Sequence, residues 1–558
     1  MNYPTNNVLD AISGPLDTGG MKIALMFLLS LALAACAPHA AHDEHAGHAR
    51  LGKVHFAVQC NAAAQREFDL AMAYYHSFAW AQIQEPLERV LQADPKCGMA
   101  YWARALASLD NPFAWPNIIP AAALERGPEF VELARRTGLN SQRERDYVDA
   151  LAVFYVEPGK RDHRTRALAL EQALEQLMQR YPQDREAAVL YALVLSANFD
   201  PADRSYAKPL RAAALLEPIF REQPQHPGVA HYLIHSYDYP PIASHGLDAA
   251  RRYSRIAPDA PHALHMPSHI FTRVGAWKES IESNRESARV AAEAARVSSS
   301  RRELHDQLHA MDYMVYAHLQ LAQDREARQV IDEMLAMKGF PPAVRTGPYA
   351  IAASTARHAV ERNDWRAAAE LEVRPTRFAY VDAITHFARA VGAARSGNPE
   401  AARADIAKLV EMRDKLRAAK DAYWSEQVEI QRLVASAWLQ YAEGRHADAL
   451  AMLGQAADAE DRTEKSVVTP GPLAPARELY GAMLLERAMA KEALAAYEGT
   501  LAKEPNRYNA IAGAAQAAER LGDHAKAKNY YQKLVAMSDG AGPGRSELAA
   551  AREFLARN

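Results

Sequence analysis

Histidines recur along this chain at a fixed step. His231 and His235, His265 and His269, and His305 and His309 form three pairs with the same i, i+4 spacing. That spacing puts both imidazoles of a pair on one face of a helix. The first two pairs stand 34 residues apart at both positions, and the third follows after 40. A step of this size is the length of one supersecondary unit in a repeat array, whose apolar face is covered only by stacking on its neighbours. Of the 21 histidines, ten fall between His226 and His318. A solenoid with imidazole at matching places on successive units builds a site along its inner surface.

The bulk numbers agree with an array. At 558 residues the chain is too long for one compact core. Alanine is abundant and β-branched runs are scarce, which favours helices over sheets. Lys+Arg 65 against Asp+Glu 68 leaves a net charge of −3, with no strongly basic face or tail, so nucleic acid is not expected as a partner.

The start of the chain reads as an export signal. Residues 1–20 precede a better start at Met21 and are expected to be a mis-assigned start. Over residues 21–36, Lys22 leads into an apolar run that ends in Leu33-Ala34-Ala35-Cys36. A basic residue, a short apolar stretch and small residues before the cut make a secretory signal, and the run is shorter than the ~20 residues of a membrane span. Leu-Ala-Ala-Cys resembles a bacterial lipobox. The resemblance implies a lipidated Cys36 as the mature N-terminus and, with Ala37 rather than Asp after it, a periplasmic protein anchored to the outer membrane. Residues 37–53 carry His39, His42, His45 and His48 at every third position without apolar periodicity, and read as a disordered, His-rich tether that could also gather metal weakly. With Cys36 lipidated, Cys60 and Cys97 remain, and in an oxidising compartment they are expected to form one disulfide; two buried free thiols are the alternative.

From 54 onward the chain reads as helix-turn-helix. Asp94-Pro95, Pro182, Pro224, Pro258 and Pro505 close successive units, with small residues such as Ala71, Ala105, Gly481, Ala493 and Ala527 and aromatics such as Tyr74, Tyr497 and Tyr531 at matching offsets. Gly397/Ala402 and Gly444/Ala449 mark two further units. In these marks the chain resembles the tetratricopeptide repeat family. The resemblance implies an all-α solenoid, a right-handed superhelix of helix-turn-helix units, over 54–460 with a His-lined groove around 226–318. Two C-terminal repeats are expected over 476–537, with the proline-bearing segment Asp461–Pro475 separating them from the rest. Asn111–Pro128 and Asn198–Pro209 fit the repeat poorly and read as loops on an edge.

The same resemblance places the histidines. Counting from Pro224 and Pro258, His231 and His265 take position 5 of their units, His235 and His269 position 9, His262 position 2 and Asp238 position 12. In the family these positions line the concave groove, where peptides bind. His305 and His309 fall on the same stripe of the next unit, while Pro267 starts a helix late or kinks it. Three readings follow. The first is a divalent transition-metal site of His231, His235, His265 and His269, bordered by His262, His305 and His309, with Asp238 or Asp306 supplying oxygen. Neutral imidazole is a common ligand of zinc and copper, and Met266, Met311 and Met314 would suit copper. The second is a polar groove for an anionic or protein partner, as in a scaffold for envelope assembly. The third is a set of buried histidines satisfied by hydrogen bonds. No His-Glu-x-x-His, phosphate loop or Gly-x-Ser-x-Gly motif is present. A zinc-dependent enzyme, for which Asp238 or Glu303 would be the base, ranks behind a binding protein.

Overall fold

The computed structural model describes residues 49–557 apart from 117, 118, 120, 300, 342 and 543. The expected signal segment, Cys36 and the histidines of the expected tether lie outside the described residues. Among the described residues all regular structure is helical, and successive helices stack as a solenoid of helix pairs. Helix pairs follow one another from Ala62–His76 with Gln84–Ala93 to Tyr508–Arg520 with His524–Met537, and a last helix, Ser546–Arg557, covers the end. No helix here is long and apolar enough to cross a membrane.

Local chemistry sets these boundaries. Asn61, Ser141, Asp162, Asn398, Asp421 and Asp523 cap their helices, each side-chain oxygen accepting a backbone N–H of the first turn. Between the helices of a unit the chain takes one left-handed residue, such as Gly397 at φ 84° or Gly444 at φ 81°. The small residues let helices approach: Ala71, Ala105, Ala493 and Ala527 are fully buried. Tyr497 packs so closely on Gly513 that a Cβ there would sit 2.1 Å from its ring.

Several expectations need correction. Helix does not begin at 54: residues 51–60 have no regular secondary structure, and the first helix starts at Ala62. This stretch runs back along the turns of the solenoid. The Arg50 guanidinium and N–H bond Asp259, the Lys53 N–H bonds the Gln225 carbonyl, and the Gln59 N–H bonds Glu144. Phe56, fully buried, sits among Phe68, Trp102 and Tyr147. Beyond it Cys60 and Cys97 are bonded, with Cα atoms 5.4 Å apart. Asn111–Pro128 is not all loop, since Pro128 lies inside the helix Ala121–Thr137, and Pro209 lies inside Ala207–Glu222.

The largest departure is the segment between Asp461 and Pro475. It does not part the last repeats from the rest but turns inward against the central helices. Lys465 Nζ lies 2.9 Å from Asp238, the Thr469 carbonyl accepts from Tyr313, and the Gly471 carbonyl accepts from Arg357. The last repeats also touch the middle units directly, where Trp277 Nε1 donates to the Asn506 carbonyl. Proline density marks a break in helix, but it does not say on which side of the array the break lies.

Candidate metal centre

Three successive units carry the histidines on their first helices. The helix Pro227–Tyr237 holds His231 and His235. In the next unit Pro261–His265 and Pro267–Val274 follow each other, with Met266 still in right-handed helical conformation at φ −53° and ψ −36°. Pro267 opens the second piece without turning the chain aside, so the i, i+4 relation of His265 to His269 survives. The third helix, Glu303–Gln320, holds His305 and His309.

Six imidazoles gather into two adjoining lobes. In the first, His231 Nε2 lies 3.1 Å from both His235 Nε2 and His262 Nε2. In the second, His265 Nε2 lies 3.1 Å from His269 Nε2, and the His309 ring centroid is 4.3 Å from that of His265. Within each lobe one nitrogen per ring falls inside 4.8 Å of the other two. The lobes abut, with ring centroids 6.1 Å apart for His235 and His269 and 6.2 Å for His262 and His265. His231, His235, His265 and His269 are buried, and His262 and His309 are partly so.

Proton accounting decides what these rings can do. His269 Nδ1 lies 2.8 Å from Asp238, and His265 Nδ1 lies 2.7 Å from Asn284 Oδ1. The Asn284 amide nitrogen is committed to the Ser280 carbonyl, so its oxygen must face the ring. Both partners only accept, so both Nδ1 atoms carry hydrogen and both Nε2 atoms are bare. Two lone pairs therefore face each other at 3.1 Å with no proton between them. His231 is held the same way, its Nδ1 donating to the His76 carbonyl at 2.7 Å. In the second lobe His309 Nδ1 is buried without a hydrogen-bond partner.

Such lone pairs repel unless a cation sits among them. Protonation is opposed. Burial first, then His309 and His269, push His265 well below the usual histidine range. Burial and the Lys465 ammonium also lower His269, although Asp238 partly offsets them. A transition-metal ion fits where a proton does not. The donor set is imidazole without carboxylate, which suits zinc or copper and not the oxygen-seeking magnesium or calcium. Outside the ligand ring the partners that fix the tautomers are in place, as metal sites require.

Asp238 is one of those partners, not a ligand. Burial alone would raise its carboxyl, but Lys465, Arg273 and His269 outweigh this and hold it well below the ordinary range. Its two oxygens are taken by His269, Arg273 and Lys465. His305 also lies outside the cluster: its Nε2 donates to the Pro341 carbonyl and its Nδ1 accepts the Gly347 N–H. Both nitrogens are used, although the residue shares the helical stripe of His309. The histidines do not line an open groove either, because the segment around Lys465 covers the concave side beside them.

A third group, His76, Glu186 and His226, has the same compactness but the opposite chemistry. Glu186 bonds both His76 Nε2 and His226 Nε2, while His76 Nδ1 meets the Tyr232 hydroxyl and His226 Nδ1 accepts the Val229 N–H. Every donor has an acceptor, so this is a satisfied buried network.

Two aromatic rings close the first lobe. Phe113 stacks on His235 at 3.8 Å between centroids, and Phe78 stacks on His262 at 5.2 Å and meets His231 edge-on at 4.3 Å. Phe78 has φ 55°, a strained backbone for a bulky residue and a mark of a position fixed by its surroundings. Sequence reasoning missed both rings, Asn284 and Lys465. None stands at a periodic offset from the histidines, and Lys465 is 227 residues from Asp238.

No family model matches the chain, and no curated protein matches it. Solved structures show only distant similarity. The IFIT1 monomeric mutant with Gppp-AAAA is 12% identical over 78% of this chain and 90% of its own, with a TM-score of 0.37. The APC/C hetero-tetramer Cut9-Hcn1 is 10% identical over 88% and 90%, with a TM-score of 0.28. Yeast Tom70 is 10% identical over 88% of each chain, with a TM-score of 0.26.

Proposed function

We propose that this chain is an exported lipoprotein whose tetratricopeptide-type solenoid holds two transition-metal ions, zinc or copper, one in each tri-histidine lobe. The observation that carries the reading is the pair of bare nitrogens of His265 and His269, 3.1 Å apart, with both opposite nitrogens committed as donors. His231, His235 and His262 would hold the first ion, and His265, His269 and His309 the second. Bound metal would supply Lewis acidity or, for copper, a change of redox state. The protein supplies burial, fixed tautomers and aromatic walls. Export to the periplasm and anchoring through Cys36 are supported by the pattern of residues 21–36 and by the Cys60–Cys97 bond, which suits an oxidising compartment.

The test is elemental analysis of the untagged chain lacking residues 1–48, which removes the tether histidines but keeps Arg50. After equilibration with zinc or with copper and desalting, about two ions per chain are expected from the two lobes. His235→Ala should leave one, and His235→Ala with His269→Ala should leave none while the helical circular dichroism is kept, since repeat stability is spread over neighbours. A chain that retains no metal, or a double variant that retains as much as the parent, overturns the reading. The solenoid would then stand as a protein-interaction scaffold, the usual service of stacked repeats.

A further inference from the structure

The inward-turning segment Asp461–Pro475 lies against the central helices as a strap. Near its start Arg204 pairs with Glu464 at 2.6 Å, and toward its end Arg357 donates to the Thr469 hydroxyl and the Gly471 carbonyl at 2.8 and 2.9 Å. Two contacts between these points are of another kind, because both run through residues that touch the second lobe. Lys465 Nζ meets Asp238 Oδ2 at 2.9 Å, and the same oxygen holds His269 Nδ1 at 2.8 Å. The Tyr313 hydroxyl reaches the Thr469 carbonyl at 3.1 Å, with its oxygen 3.4 Å from His269 Nε2. The Tyr313 ring packs on His265, His269 and His309 at centroid distances of 4.7, 5.3 and 5.3 Å.

Charge decides how this fastening responds to an ion. Asp238 is one negative charge shared by two buried cations, Arg273 and Lys465. A divalent ion among the ring nitrogens of this lobe adds two positive charges on the other side of the His269 imidazole, where burial leaves them weakly screened. Arg273 has further holds, donating to the Asp238 carbonyl at 3.0 Å and lying 3.7 Å from Glu464. Lys465, on a flexible stem, hydrogen-bonds Asp238 alone among the described residues, so it is the cation that gives way. The strap also has room to shift. A cavity of about 70 Å³ lies against it, walled by Tyr349, Tyr423 and Trp424 on the helices and by Lys465, Thr469 and Pro470 on the strap. Protein interiors are otherwise close-packed, so a segment beside a void moves at low cost.

We infer that the strap reports occupancy of the second lobe: a divalent ion held by His265, His269 and His309 breaks the Lys465–Asp238 pair and loosens residues 465–471 from the inner surface. The inference rests on the two-ion reading and adds its regulation. Whether the ammonium swings away or gives up its proton, the ion pair is lost. By reciprocity the fastened strap weakens binding of the second ion by the same factor, and couplings of this kind are about 5–150-fold.

Hydrogen exchange over residues 465–471 tests this on the full-length protein, stripped by chelator and then loaded with zinc and desalted. Zinc should speed exchange there by about fivefold or more. The Lys465→Met chain should exchange fast without metal, and zinc should change its rate by less than about twofold, below the range of a working coupling. The His265→Ala, His269→Ala chain, which keeps only the first lobe, should be equally unresponsive. Zinc held in the lobes is read from the same samples, as the excess over the His235→Ala, His269→Ala chain. If that excess is present and exchange in the strap is unchanged or slowed, the inference is overturned and the two-ion reading stands. A Lys465→Met chain that responds like the parent, or a strap that loosens as much without the second lobe, overturns it too. If no excess zinc is held, both fall together.

Discussion

Asp238→Asn isolates what the carboxylate behind His269 does. The substitution keeps the shape and removes one charge, one acceptor oxygen and the certainty of the His269 tautomer. The new amide can turn its NH2 toward His269 Nδ1, which shifts the ring hydrogen to Nε2 and blocks the nitrogen that faces His265. Loss of such a partner behind a metal ligand costs about 10–100-fold in affinity, or ~1.4–2.8 kcal/mol. The blocked tautomer puts this case at the upper end. Folding pays separately, because Arg273 and Lys465 are buried against the same carboxylate. Breaking a buried ion pair costs about 3–5 kcal/mol. Burial already brings Lys465 down to about 8, with Asp238 its main support, so this lysine can shed its proton and the cost should fall near 3 kcal/mol. Zinc competition against a fluorescent chelator reads the first effect, and urea unfolding of the metal-free protein reads the second. Lys465→Met is the control: it removes positive charge beside the lobe and should leave zinc affinity equal or higher. If Asp238→Asn binds zinc within twofold of the parent while losing stability, Asp238 is only a structural ion partner and the proton accounting at His269 is wrong.

Three further outcomes are expected. Histidines held well below their usual range favour the unfolded chain as pH falls through 6.5, because that chain takes up more protons, at about 1 kcal/mol per pH unit for each ring. Glu460 and Glu478, raised by burial to about 7 and about 6, oppose this by binding protons in the folded state. Metal-free parent should therefore lose more stability between pH 7 and 5.5 than the His265→Ala, His269→Ala variant, and equal losses by thermal melting would refute the assignment of buried neutral rings. Replacing Cys60 and Cys97 by Ser opens a link spanning 37 residues and should cost about 4 kcal/mol by loop closure; hydrogen exchange should show the loss confined to the first repeats, and a uniform loss would contradict it. Cys36→Ser should move the protein from the membrane fraction to the soluble one; retention on the membrane by the unlipidated variant would refute the anchor.

The histidine pairs were legible because helical geometry alone aligns residues four apart, and the 34-residue step aligns one helix with the next. That much located His231, His235, His265 and His269. The division into lobes was not legible. His262 joins His231, and His309 joins His265, across neighbouring first helices, a matter of superhelical twist that spacing does not encode. His305 shares the stripe of His309 but sits one turn earlier, where the Pro341 and Gly347 backbone takes both its nitrogens. Asp238 was read as a possible oxygen ligand, yet Arg273 and Lys465 claim it first. Lys465 comes from a segment whose prolines told only that helix stops there. The satisfied network of His76, Glu186 and His226 has no sequence signature, since its members lie on separate helices.

The backward-running stretch at 50–60 bears on how the molecule would answer tension. Its first contact is at Asp259, in the turn just ahead of His262, and its last is the bridge at Cys97. A pull on the chain's start would enter the solenoid at its middle and be shared among Asp259, Gln225 and Glu144 as sliding strain along a row of turns. Helix pairs unzip readily when drawn off one end in sequence, because each holds only its neighbours. Here the first pair is shielded from that route, and the turn that positions His262 is where a load would first be felt.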